Sequence, residues 1–290
     1  VLLAALTVGW GFNWPMMKIA LGEVPVWTFR GLCAGAGALG MFVIARANRR
    51  AILPPSNQWR RLAASAVFNV TLWNVCIAYG LTFLPAGRTV ILAYTMPLWV
   101  VLLSRLLLDE RLTRRRVAGV TLGMAGMALL IGNELAAMRA APIGALLVIA
   151  AAAAWAIGTV LMKRFPTQLP TTSFTGWQFL IGGAPIVFGA LVLDHSRWQP
   201  VSIGAAAAVL YNMVVAFVFC HWAWFKIVSR ASAGVSALGT LMIPVVGVLS
   251  SMLVLGERPS WQEYGALLLV MGAIATVVIP RPVQAVAGER

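Results

Sequence analysis

Along this chain, long apolar stretches alternate with short clusters of charged residues, proline and glycine. A helix crosses a bilayer with about 20 mainly apolar residues. Runs of about that length lie near 1–21, 25–45, 61–82, 86–108, 115–133, 142–162, 171–193, 203–225, 233–255 and 261–280. The pattern predicts an all-α membrane protein with ten transmembrane helices. The connections are short, such as 46–61 with Pro54 and Pro55, and none has room for a soluble domain. The first run, with Trp10, Asn13, Trp14 and Lys18, reads as a retained helix; no small-residue cleavage site follows it.

The apolar runs also repeat. Trp10-Gly11 with Lys18 eight residues after the Trp recurs as Trp155-Ala156 with Lys163. Pro25, Phe29 and Gly31 recur as Pro170, Phe174 and Gly176, at the same offset of 145. Pro97 recurs as Pro244 and Glu110-Arg111 as Glu257-Arg258, at 147; Gly119 and Gly126 recur as Gly265 and Gly272, at 146. Near-constant offsets along the chain mark an internal duplication. The units expected are 1–138 and 139–290. Each holds five predicted helices, an odd number, so the second enters the membrane from the opposite side. The expected architecture is two inverted five-helix repeats related by a pseudo-two-fold axis in the membrane plane. Repeats of this kind build alternating-access transporters, with the substrate site near the bilayer midplane.

Composition agrees. The chain is 61% hydrophobic and 10% charged, against about 25% charged in soluble domains. Its net charge of +14 sits in short loops between apolar runs, which fits a surface near anionic membrane lipid and excludes nucleic acid as partner. With a cytoplasmic N-terminus, fifteen Lys and Arg fall on inside segments and only Arg139, Arg197 and Arg258 outside. Lys18, Arg30, Arg88 and Arg105 lie within or at the edge of spans. That asymmetry places both termini in the cytoplasm. Cys33, Cys76, Cys220, His195 and His221 form no metal motif, so no metal or cofactor is expected.

Within the spans, several residues are candidates for binding or gating. Pro97 and Pro244 each lie eleven residues into a predicted helix. That is about 16 Å along the axis, near the middle of a core about 30 Å thick. Proline lacks the N–H and displaces the carbonyl four residues earlier, here those of Ala93 and Thr240. Corresponding proline-interrupted helices point to a transport site; the alternative is a packing kink. Of twelve tryptophans, Trp27, Trp59, Trp198 and Trp261 fall at span ends, and the others lie inside spans. Trp10 and Trp14 share a helix face with Asn13 and Met17; the matching face carries Trp155, Thr159 and Met162. Trp73, Trp99, Trp177, Trp222 and Trp224 add to an aromatic interior suited to an aromatic or amphipathic ligand. Polar side chains inside spans are costly and mark cavities or interhelical bonds. Here they are Asn13, Asn69, Asn74, Tyr79, Tyr94, Gln178, Tyr211, Asn212 and His221.

The Trp10-Gly11-x-Asn13 stretch with its following Lys, the Pro25-x4-Arg30 helix entry and the Asp109-Glu110-Arg111 helix end resemble the drug/metabolite transporter superfamily. The duplicated unit is similar to its EamA-type domain, occurring twice. Within that family the Trp-rich character looks most like bacterial aromatic-amino-acid exporters of the YddG type. The resemblance implies an inner-membrane exporter of amino acids or related metabolites, with small-molecule and lipid partners only. Threonine, cysteine, nucleobases or drugs are the alternative cargo. Gly158 stands opposite Asn13 and Thr175 opposite Arg30, so those two roles are confined to the first half. The acidic residues all lie in loops, tails or span ends. Small multidrug-resistance relatives couple to protons through an intramembrane carboxylate, so facilitated diffusion or exchange is expected here. A membrane-embedded enzyme is a remote alternative, since it needs a catalytic cluster that is not evident. Gly31-x3-Gly35 and Gly119-x3-Gly123 predict close helix packing, with the fifth and tenth spans as a scaffold and the protein a monomer.

Overall fold

The computed structural model describes residues 1–108, 113–136, 141–228 and 233–278. Glu110-Arg111, Arg139, Arg230, Arg281, Glu289 and Arg290 lie outside the described residues. Among the described residues the secondary structure is all helical, without strands. The helical stretches are α1 (Leu2–Glu23), α2 (Val26–Ala47), α3 (Ser56–Phe83), α4 (Ala86–Leu107) and α5 (Arg114–Ala136). They continue as α6 (Ala141–Arg164), α7 (Thr171–Arg197), α8 (203–228), α9 (Ala233–Leu255) and α10 (Trp261–Val278).

Six of these, α2, α3, α4, α6, α7 and α8, are long and apolar enough to cross a membrane on their own. α1 has the length, but Asn13 and Lys18 lower its hydropathy. In α5 and α9 the apolar portions among the described residues are the shorter Val117–Leu129 and Met242–Leu255. Large apolar side chains such as Leu39, Val43, Leu146, Phe188, Leu253 and Leu268 are more than half exposed. That outward apolar surface is stable in lipid, where only the backbone must find its partners internally. The chain is a helical membrane protein.

Proline sets the helix entries. Pro25, Pro85 and Pro170 stand at the N-caps of α2, α4 and α7, with φ near the value the ring imposes. Each offers its carbonyl to the N–H four residues on, in Phe29, Thr89 and Phe174. α9 ends at Gly256, whose φ of +67° lets the chain reverse after the helix.

The largest interfaces join α3 to α6, α2 to α7, α5 to α10, and α1 to α8 and α9. α4 packs on α6 and α9, α1 and α2 on α8, and α3 on α7. Small residues permit these approaches. A methyl group on Gly182 of α7 would lie 2.5 Å from the Ala66 carbonyl of α3. One on Gly37 of α2 would lie 3.2 Å from the Phe217 ring of α8. At the α5–α10 interface, Gly126 faces Ala266 and Val270, and Gly265 faces Leu129.

Three helices contain π-helical turns: Val67–Leu72 in α3, Ala190–Asp194 in α7 and Asn212–Phe219 in α8. Such turns leave the i→i−4 ladder and are frequent at functional sites. α4 is interrupted at Tyr94 and Thr95, and its second part begins at Met96 with Pro97 in its first turn. The Thr95 hydroxyl donates to the Leu92 carbonyl at 2.6 Å and closes the break. α9 runs through Pro244 without interruption.

Candidate functional site

Two tryptophan-bearing helix faces meet the opposite half of the chain. On α1, the Trp10 Nε1 donates to the Ala216 carbonyl of α8 at 3.2 Å. Its ring stands edge-on to His221 at 5.4 Å and lies 6.1 Å from Trp224. Gly9 and Gly11 make room for this packing, since a methyl group there would strike Cys220 and Val246. The Tyr211 hydroxyl donates to the Gly9 carbonyl at 2.8 Å. Trp14 is buried against Gly247 of α9. On α6, the Trp155 ring packs 5.0 Å from that of Trp73 in α3. Thr159 turns its hydroxyl back to the Trp155 carbonyl at 2.8 Å.

Polar side chains cluster beside these faces. Asn69 is buried in the π-turn of α3, and its Nδ2 donates to the Met162 sulfur at 3.6 Å. Gln178 of α7 donates to the same sulfur at 3.5 Å and to Ser65 at 3.2 Å. Ser65 and Met162 line a cavity that opens near Gln58, Arg61 and Phe165. On the other face, Asn13 donates to the Met17 sulfur at 3.4 Å. Asn212, fully buried at the start of the π-turn in α8, donates to the Ala208 carbonyl at 2.9 Å. The side-chain oxygens of Asn13, Asn69 and Asn212 and the Nε1 of Trp99 are buried with no hydrogen-bond partner. A buried polar group left unpaired costs about 1–3 kcal/mol, so these atoms are suited to a ligand's polar groups.

Of the other sequence candidates, Tyr79 and Trp177 lie toward the two ends of the bundle, whereas His221 packs on the Trp10 face. Tyr79 accepts a 2.9 Å bond from the Trp27 indole near the Glu23 end of the bundle. Trp177 donates to the Ile52 carbonyl and packs edge-on to Trp59, so it belongs to the opposite end, with the α2–α3 connection. His221 is held by the Ala216 carbonyl at 3.0 Å and by the rings of Trp10, Phe179 and Phe217. Tyr94 is buried at the break in α4, and Pro244 is buried within α9.

Charge at the Glu23 end is spent on helix termini. The Asp194 carboxylate accepts from the N–H and hydroxyl of Thr28 in the first turn of α2. Glu257 accepts from the Ala86 and Gly87 N–H groups that open α4, at 2.6 and 2.9 Å. Glu23 binds Ser202, the N-cap of α8. Glu263 caps its own helix through Ser260 and pairs with Arg88 at 3.1 Å. In each case a carboxylate meets the positive end of a helix dipole. Lys18 does the reverse, donating to the Leu81 and Leu84 carbonyls where α3 ends, at 2.5 and 2.8 Å. Lys18 and Arg30 fall within spans, outside the inside–outside charge count. Their place inside spans was the available signal, because an intramembrane charge is retained only with a partner or a task.

The pattern of the EamA-like transporter family matches residues 1–132 and again 142–279. Over 277 residues the chain is 28% identical to the "uncharacterized transporter YvbV" of Bacillus subtilis, covering 96% of this chain and 90% of that protein. It is 26% identical over 288 residues to a "probable amino-acid metabolite efflux pump" of Escherichia coli, covering 96% and 94%. A solved crystal structure with 24% identity superposes with a TM-score of 0.66, covering 94% of this chain and 98% of that one.

Proposed function

This chain belongs to the EamA-like transporter family, and we propose that it exports aromatic amino acids across the bacterial inner membrane by alternating access. The reading includes ten spans in two inverted repeats, 1–138 and 139–290, with both termini cytoplasmic. The helix packing supports the repeat. Exchanging each helix for the one five places along turns the α1–α9 interface into α6–α4, α3–α6 into α8–α1, and α2–α8 into α7–α3. Gly37 and Gly182, at the offset of 145, each receive a π-turned helix.

The observation that carries the cargo is the unpaired polar atoms on the tryptophan-bearing helices, Asn13 on α1 with Trp10 and Trp14 and Asn69 on α3 with Trp73. An amino acid brings an ammonium that needs acceptors and a carboxylate that needs donors. The Asn13, Asn69 and Asn212 oxygens are acceptors, and the Trp99 indole is a donor. Trp10, Trp14, Trp73 and Trp155 supply apolar and stacking surface for a side-chain ring. The charged residues support facilitated diffusion or exchange rather than proton coupling, since the described carboxylates cap helix ends. The name of the Escherichia coli relative, a probable amino-acid metabolite efflux pump, agrees with amino-acid-related cargo.

The test is efflux of radiolabelled tryptophan, phenylalanine, threonine and cysteine from proteoliposomes, with and without an imposed proton gradient. Saturable efflux of the aromatic pair, indifferent to the gradient, is expected. Efflux of threonine or cysteine alone would overturn the aromatic assignment. Uphill accumulation driven by a pH gradient would overturn facilitation.

A further inference from the structure

Arg30 is 2% exposed, and the partners it finds cannot neutralise it. Its Nη2 points at the Met17 sulfur at 2.8 Å, its guanidinium lies 5.0 Å from the Phe29 ring centre, and its Nε has no partner. A thioether is a weak acceptor. A guanidinium buried in apolar surroundings needs an anion or several strong acceptors. The same sulfur takes the Asn13 Nδ2 at 3.4 Å. Two donors, one from α1 and one from α2, thus converge on a single soft atom. That atom belongs to the helix face bearing Trp10, Asn13 and Trp14.

The charged version of this arrangement occurs once: the matching sulfur, of Met162, also takes two donors, but both are neutral amides, Asn69 of α3 and Gln178 of α7. In the second half the positions matching Asn13 and Arg30 hold Gly158 and Thr175. A duplicated scaffold with one anion-binding pair suits a cargo with one carboxylate. Arg30 lies four residues after Val26, about 6 Å along the axis from the start of α2. The charge is therefore displaced from the midplane toward the Glu23 end.

We propose that Arg30 and Asn13 form the carboxylate subsite of the cargo. The carboxylate replaces the Met17 sulfur as acceptor, and the planar fork of Arg30 grips it through two hydrogen bonds. The Asn13 oxygen stays available to the ammonium, and the cargo's ring lies along Trp10 and Trp14. This inference rests on the amino-acid reading above and specifies which residues carry its selectivity.

The test compares tryptophan with tryptamine, which keeps the ring and ammonium but lacks the carboxylate. Binding is measured by calorimetry on the full-length protein. Wild type is expected to prefer tryptophan. Arg30→Gln should weaken tryptophan about ten- to a hundredfold, the weight of a charged hydrogen bond, and leave tryptamine unchanged. Unaltered tryptophan binding, or equal loss of both ligands, would overturn the subsite. If Arg30→Gln fails to fold, Arg30→Lys keeps the charge but loses the fork. It should retain part of the preference for tryptophan, and an undiminished preference counts against the proposal. A wild type that binds neither ligand sinks the aromatic reading instead. The subsite is then tested with threonine and its decarboxylated amine, and stands only if Arg30→Gln abolishes that discrimination.

Discussion

α1 and α6 begin from matching sequences and end with different chemistry. Both carry a Trp, a Met seven residues later and a Lys one residue beyond that. In each, the Met sulfur collects hydrogen bonds from an Asn: Asn13 of the same helix in α1, Asn69 of α3 in α6. The position of Asn13 is Gly158 in α6, and the space it vacates is filled by the Asn69 amide. Lys18 is half-buried and donates to the end of α3, and Lys163 lies at the surface. The comparison teaches that helix packing was conserved through the duplication while the polar groups moved between helices. A packed interface constrains both copies alike, but a single asymmetric ligand does not.

The sharpest break comes at Gly158. A methyl group there would sit 1.9 Å from the Asn69 side-chain oxygen. Gly158→Ala should destabilise the protein by about 1–3 kcal/mol, as overpacking does, and reduce transport with it. Asn69→Ala in the same chain should restore most of the stability. Gly22→Ala is the control, because nothing lies within 4 Å of that position. Thermal unfolding in detergent reads all three. A Gly158→Ala protein as stable as wild type would remove the steric part of the comparison.

The lysines come next. Lys18→Met removes two bonds from a charged donor to the last carbonyls of α3. The expected cost is about 1.5–3 kcal/mol, the weight of a charged hydrogen bond. Lys163→Met should cost about 0.5 kcal/mol or less, as exposed substitutions do. Equal losses in unfolding measurements would show that the two halves use this lysine in the same way.

Much of this was legible in the sequence, because the repeat and the bilayer both leave periodic marks. The helical stretches, six of them long and apolar enough to cross a membrane, and the places of the prolines and tryptophans on them follow from spacing. What escaped was the partner of each polar group. Asn69 and Met162 are 93 residues apart, and Lys18 and Leu81 are 63 apart; such pairs are set by helix register. The π-turns escaped too, since widening of a helix by one residue leaves no compositional signature in apolar runs. The two prolines hold equivalent places in the sequence, yet the helix parts at Tyr94–Thr95 beside Pro97 and stays whole at Pro244.

That difference sharpens the expectation for the hinges. Pro97→Ala should reduce efflux severalfold with little loss of expression, because the break in α4 then gains a backbone donor. Pro244→Ala should impair efflux less, since α9 is already continuous. Efflux assays on matched amounts of protein decide it. Normal transport by both variants would remove the prolines from the mechanism.

The smallest expected difference separates the two tryptophans that open the repeated motif. Trp10 spends its indole N–H on the Ala216 carbonyl and its ring on His221. Trp155 contributes its ring to Trp73. Trp10→Phe therefore loses a hydrogen bond worth about 0.5–1.5 kcal/mol. Trp155→Phe keeps an aromatic pair with Trp73 and should cost less than Trp10→Phe. Tryptophan binding sharpens the result further. If the two faces enclose the cargo together, both substitutions weaken it by similar factors despite their unequal effect on stability. A loss confined to Trp10→Phe would place the cargo on the α1 face alone, the same face that carries Asn13.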